Sequence, residues 1–217
     1  MTELILIRPD DIQKGGSYRF SDKIINGFRK DDEIFVVGMG NAISLACTAV
    51  QRATKLAKGK ISEISLDYIG SPKLGIAGLF VVLDKESKRD LVSEGKELEK
   101  GMKLSFERDG QLLVVSNTLS PERAIPLALS RLAETDCLKI SASGTAINRQ
   151  VPIALELTKG NIANDDLGII LTILFTVQFE VSGKTIPETV MEIFIKKGCK
   201  TKFSKKHEQM LKMLTSG

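Results

Sequence analysis

The sequence predicts an α/β (α+β) chain of two tandem β-α-β-α-β-β units, each a four-stranded mixed sheet with two helices on one face. Three observations predict it. A strand, a glycine turn and a helix start recur at one fixed offset, Ile34–Ser44 over Leu138–Asn148. Each copy is preceded by an apolar run and a helical pattern and followed by two more strand-like runs. The composition, 42% hydrophobic and 27% charged over 217 residues, is that of a chain with a buried core rather than a disordered one.

In the first repeat, Leu4 to Ile7 is an apolar run of strand length. It leads through a loop into a helix with Phe20, Ile24, Ile25 and Phe28 at helical spacing. Asp31-Asp32-Glu33 is a polar turn before the inner strand, Ile34 to Met39. After Gly40 a long helix carries Ile43, Ala46, Val50, Ala53 and Leu56 on its core face. Strands Ile61–Ile69 and Ile76–Leu83 complete the unit.

The second repeat has a strand at Leu112–Val115 and a helix opened by Ser120-Pro121, an N-cap followed by proline at the first helical position. That helix offers Ala124, Ile125, Ala128, Leu129 and Leu132 to a core. Leu138 to Ser143 is the inner strand, and the helix after Gly144 presents Ile147, Val151, Ala154 and Leu157. The last two strands are Leu167–Val177 and Thr189–Ile195, with a turn at Ser182-Gly183-Lys184. These patterns divide the chain into a first repeat, 1–84, a charged linking segment, 85–110, a second repeat, 111–197, and a basic tail, 198–217. A linking helix is expected over Asp84 to Lys100, and Met102 to Phe106 has the pattern of an extra strand.

Charge is unevenly placed. The net charge is +4, yet the last 22 residues hold seven lysines and one glutamate. Such an end reads as a contact for polyanions through counterion release or as a solubilising terminus. His207, the only histidine, lies in it and is expected at the surface. Cys47, Cys137 and Cys199 match neither a disulfide framework nor a zinc pattern, so a reducing cytoplasm is expected. Cys47 and Cys137 fall on apolar faces and are expected in the core. No apolar run reaches the roughly 18 residues of a membrane helix, and no membrane partner or signal peptide is expected.

The order of elements, with Gly40-Asn41-Ala42-Ile43 and Gly144-Thr145-Ala146-Ile147 at the strand-to-helix turns, resembles the Alba superfamily of archaeal chromatin and RNA-binding proteins. The second half is similar to a relative of Alba, stage V sporulation protein S, through Ser116–Pro121, Ser143–Gln150, Ile169–Phe175, Ser182-Gly183-Lys184 and Glu192–Ile195. The resemblance implies a nucleic-acid-binding pair of units, here folded within one chain. It also implies basic contacts in the loop after the first strand and around the Gly-x-Ala-Ile turn. In the first loop, Arg8, Lys14 and Arg19 flank Gly15-Gly16, where the backbone can approach a phosphate. At the turns, the positions the family fills with basic residues hold Met39, Asn41, Ser143 and Thr145, all neutral, and Arg149 stands one turn further on. Backbone N–H groups at the helix starts after Gly40 and Gly144 suit a phosphate, although a turn glycine needs no ligand.

Enzymatic patterns fail one by one. Gly38-Met39-Gly40-Asn41-Ala42 opens like a dinucleotide fingerprint, but Ile43 stands at the third small position and no acidic residue ends a following strand at the right distance. A phosphate-binding P-loop is absent, and no Ser or Cys is expected to have a histidine partner, because the only histidine lies in the tail. The expectation is therefore a non-catalytic protein without cofactor or metal that contacts RNA or DNA backbone. Its expected contacts are Arg8, Lys14, Arg19, Gly40, Asn41, Arg149, Lys197, Lys200, Lys202, Lys205 and Lys206. The alternative is a regulatory or scaffold protein-interaction module of the same fold that has lost nucleic-acid binding; a protein partner or a homo-oligomer is compatible with either reading.

Overall fold

The computed structural model describes residues 2–13, 16–57, 59–70, 75–101, 111–159 and 167–215. The chain forms two compact units, Met1–Leu91 with Phe203–Gly217, and Val92–Lys202.

The first unit contains β1 (Glu3–Ile7), α1 (Gly16–Phe28), β2 (Glu33–Met39), α2 (Ile43–Ala57), β3 (Lys60–Ile69) and β4 (Ile76–Asp84). Its sheet has the order β1-β2-β4-β3, with β1 parallel to β2 and the other pairs antiparallel. The second unit repeats this plan with β5 (Leu112–Val115), α4 (Pro121–Glu134), β6 (Cys137–Ser143), α5 (Ile147–Lys159), β7 (Leu167–Val181) and β8 (Lys184–Lys197), in the order β5-β6-β8-β7. The pairing within each sheet is equivalent: Leu4 pairs with Phe35 and Phe35 with Val82, just as Leu112 pairs with Lys139 and Lys139 with Phe194.

Two further helices follow the repeats and change the layer count. Helix α3 (Leu91–Gly101) comes after the first repeat, but from Val92 onward it belongs to the second unit. Helix α6 (Lys205–Thr215) comes after the second repeat and belongs to the first unit. Each sheet is thus covered on both faces, and the cover opposite the helix pair is supplied by the helix that trails the other repeat.

Strand β2 shows the consequence. Its residues Ile34 to Val37 are all fully buried, the continuous apolar run expected of a strand enclosed on both sides. Ile34 lies beneath Gly27 of α1, and Gly38 lies beneath Ala46 of α2. Phe35 and Val37 point the other way, into a cluster with Phe80, Val82 and Met210 that also takes in Leu211, Met213 and Leu214 of α6. In the second unit α3 comes down on its sheet at Gly95, where a Cβ would lie 2.8 Å from Cδ1 of Ile173. A larger residue there would require the Ile173 side chain to shift.

The segment read as a basic tail is therefore built differently from expectation. Its apolar residues form one helical stripe that closes a core, while Lys205, Lys206, Glu208, Gln209 and Lys212 occupy other positions of the helix. His207, expected at the surface, is 1% exposed. Its ring stacks on Phe203 at 4.2 Å and meets Phe80 edge-on at 4.5 Å. Leu56, expected in the core of α2, is 60% exposed in the last turn. Cys47 and Cys137 are buried, and burial pushes both thiols above their ordinary pKa. The last hairpin is longer than its sequence pattern suggests. Pairing continues through Phe179↔Ile186 to Val181↔Lys184, and closes on Ser182 and Gly183, both with positive φ (52° and 74°). Two consecutive positive φ values make the tight turn that matches strand twist. The strand expected at Met102–Phe106 lies outside the described residues.

Candidate nucleic-acid interface

In both units the inner strand ends in a short 3-10 turn before the long helix. Gly40 and Gly144 open these turns at φ of 51° and 53°, a conformation that disfavours a side chain. The surroundings of the two glycines differ. A Cβ on Gly40 would meet only Cγ2 of Ile76 at 3.3 Å and Cγ of Pro9 at 3.7 Å, both apolar. A Cβ on Gly144 would meet Oε1 of Glu188 at 2.5 Å. A carboxylate thus stands over the second turn, where an incoming phosphate would be repelled.

Around the first turn, Arg8 and Asn41 are exposed. Arg8 precedes a 3-10 turn, Pro9–Asp11, whose start is held by its own N–H donating to Oδ2 of Asp11 at 2.9 Å. Arg19 is exposed on the first turns of α1, and its guanidinium lies 6.0 Å from the Phe20 ring centre. Lys14, with Gly15, lies outside the described residues. One feature of this layer went unread in the sequence. Arg52 of α2 stacks over Tyr18 of α1 at 3.7 Å, and Tyr18 is 62% exposed. The two residues are 34 apart, so no local pattern announces the pair.

Around the second turn the polar groups bond to one another. Asn117 Nδ2 donates to Oγ1 of Thr145 at 2.9 Å, and Thr145 donates back to Oδ1 of Asn117 at 3.1 Å. Arg149 donates to the Leu119 carbonyl at 3.5 Å. The Ser120 hydroxyl and a backbone N–H hold the Glu122 carboxyl below its ordinary pKa, with a further contribution from the Arg149 charge. Arg149 is therefore engaged within its own unit.

The lysines proposed from the sequence are divided between the units. Lys197, Lys200 and Lys202 belong to the second, with Lys200 and Lys202 exposed and Lys197 half-buried. The Lys197 N–H donates to the Asp136 carbonyl at 2.9 Å. Lys205 and Lys206 belong to the first unit, at the start of α6. Lys205 is exposed, whereas Lys206 is half-buried and ion-paired with Glu33. Among the described residues no group of three His, Cys, Asp or Glu is placed to hold a metal ion, and no helix is long and apolar enough to cross a membrane.

No family model and no curated protein matches the chain. Among solved structures, Alba from Thermoplasma volcanium is similar at 14% sequence identity and a TM-score of 0.36, over 40% of this chain and 99% of that one.

Proposed function

We propose that this chain is a non-catalytic protein that binds the sugar-phosphate backbone of RNA or DNA with little sequence preference, as two Alba-like units paired within one cytoplasmic polypeptide. The observation that carries the reading is the asymmetry of the two glycine turns. The first has exposed Arg8 and Asn41 around an uncharged surface, while the second is capped by Glu188. Phosphate binding is accordingly assigned to the first unit, with Arg8, Lys14 and Arg19 as cations and the N–H groups after Gly40 as donors. Lys200, Lys202 and Lys205 add exposed positive charge. Three free cysteines fit a reducing compartment.

Fluorescence anisotropy with labelled single-stranded RNA, double-stranded RNA and duplex DNA tests the reading at two salt concentrations. Binding that weakens with salt supports it, and the ranking names the ligand class. Absence of binding at low salt removes it. A second reading, a protein-interaction module, is favoured by the internally bonded Asn117–Thr145 turn beneath Glu188 in the second unit. Recovery of a stable protein partner, or of a homo-oligomer, from nuclease-treated lysate would support that reading.

A further inference from the structure

The second unit contains a cavity of about 620 Å3 on the α3 face of its sheet. Its apolar walls include Val92, Leu112, Val114, Ile173 and Phe175. The register of the two sheets explains why it exists. Lys139 holds the position that Phe35 holds in the first unit, and Glu192, paired with Ile173, holds that of Phe80, paired with Ser65. In the first unit those two phenylalanines and α6 fill the space. In the second, two aromatic rings give way to an ion pair, and α3 bridges the face without filling it.

The polar end of the cavity is a triad. Lys139, 7% exposed at its side chain, donates to Glu192 Oε1 at 3.1 Å and to Glu99 of α3. One ammonium thus serves two carboxylates in a partly desolvated place. Burial alone would lower the Lys139 pKa, but its bonds and charges with Glu99 and Glu192 outweigh this and hold it above its ordinary value. Glu192 is also held above the ordinary carboxylate range, by burial first and by the Glu99 charge, against the pull of Lys139. Negative charge is under-compensated there. The other cation in the lining, Lys96, is exposed to solvent, where screening weakens it.

We propose that this cavity binds a small amphiphilic amine, its ammonium added to the Glu99–Lys139–Glu192 triad and its apolar body lying along Val114, Ile173 and Phe175. The volume is in the range of small-molecule sites, and the lining combines apolar walls with a few convergent polar groups. A second cation completes two bonds where one ammonium is shared. An anionic ligand would instead have to displace a carboxylate from Lys139.

The test uses the full chain and three probes of similar shape: phenethylammonium, 2-phenylethanol and 3-phenylpropionate. Binding is followed by amide NMR shifts. The expected result is saturable binding of the ammonium alone, with shifts centred on Val114, Ser141, Ile173 and Thr176. Glu192→Gln should weaken it by about tenfold, the scale of one charged hydrogen bond. Ser141→Phe fills the cavity while keeping all three triad residues, beside Glu192, its cross-strand neighbour, and should abolish binding while the amide spectrum stays folded. Equal binding of the alcohol or the carboxylate overturns the proposal. So does ammonium binding that survives Ser141→Phe, or no binding of any probe at millimolar concentration.

Discussion

Nδ1 of His207 lies 2.8 Å from Oγ of Ser65, a residue 142 positions earlier in the chain. Nε2 of the same ring lies 3.3 Å from Oδ2 of Asp67. Ser65 and Asp67 are alternate residues on one face of β3, so a single imidazole on α6 reads both. Ser204 reinforces the seat: its hydroxyl donates to Glu63 at 2.6 Å and accepts the His207 N–H at 3.1 Å. The types Ser, His and Asp invite comparison with a hydrolytic triad. With 1% of the residue exposed, and rings of Phe203 and Phe80 against it, the imidazole has no face open to a substrate. It serves to locate the helix.

Trimming the apolar stripe of α6 should weaken the first unit selectively. Met210→Ala removes a fully buried side chain from the cluster around Phe35 and Phe80 and should cost about 2–5 kcal/mol. Hydrogen exchange is the measurement, with protection falling in β1, β2 and β4 and persisting in β6 and β8. A uniform fall across both sheets would contradict the two-unit description.

The buried triad of the second unit should be easier to replace than to break. Lys139→Met leaves Glu99 and Glu192 facing each other and should cost about 3–5 kcal/mol. The pair Lys139→Phe with Glu192→Phe copies the first unit and should cost less than the single change, because the more buried carboxylate goes with the lysine and only Glu99, the more exposed of the two, loses its partner. Chemical denaturation of both variants checks the order.

Glu192 gives the triad a signed pH dependence. Its folded pKa is raised, so its contribution to stability is greatest below the ordinary carboxylate range and is lost as pH rises through the folded value. Between about pH 4 and about pH 7 the stability difference should drift in favour of Glu192→Gln over wild type. Urea unfolding at a series of pH values measures it, and drift in the opposite direction would mean that Lys139 outweighs burial. The Lys139 contribution runs at the other end of the scale. It is present below the ordinary lysine value and lost only as pH climbs past it.

Charge reversal should separate the two turns. Arg8→Glu combined with Arg19→Glu should weaken nucleic-acid binding and reduce the salt slope by about 2, one for each phosphate no longer neutralised. Arg149→Ala should leave both unchanged, since that guanidinium is taken up by the Leu119 carbonyl and the Glu122 charge. Anisotropy titrations at several salt concentrations measure both quantities.

Much of this architecture was legible because it is local. The glycine turns, the buried stripe Ile147, Val151, Ala154, Leu157 and the proline start of α4 are each written within a dozen residues. The role of α6 was not legible, for two reasons. Seven lysines in the last 22 residues dominate any reading of charge, and the partners of the helix lie more than a hundred residues earlier, between Phe35 and Val82. A signal was present: His207, Met210, Leu211 and Leu214 stand at i, i+3, i+4 and i+7, an apolar stripe on an otherwise basic helix. The outer hairpin escaped because Phe179 and Ile186 pair in solvent, where apolar alternation no longer marks which side is inward. Candidate cations were readable as residue types, but Glu188 over Gly144 and Glu33 beside Lys206 are long-range neighbours that spacing does not encode.

The placement of α6 also sets an order of assembly during synthesis. The first sheet is complete once β4 has left the ribosome, yet Phe35, Val37, Phe80 and Val82 then lack their cover. That cover is encoded in α6, more than a hundred residues after β4, and at ordinary elongation rates it follows on the order of ten seconds later. The second unit, contiguous from Val92 to Lys202, has all its parts before then. The half made first is therefore finished last, and for that interval its bare apolar face is the part of the nascent chain most in need of a chaperone.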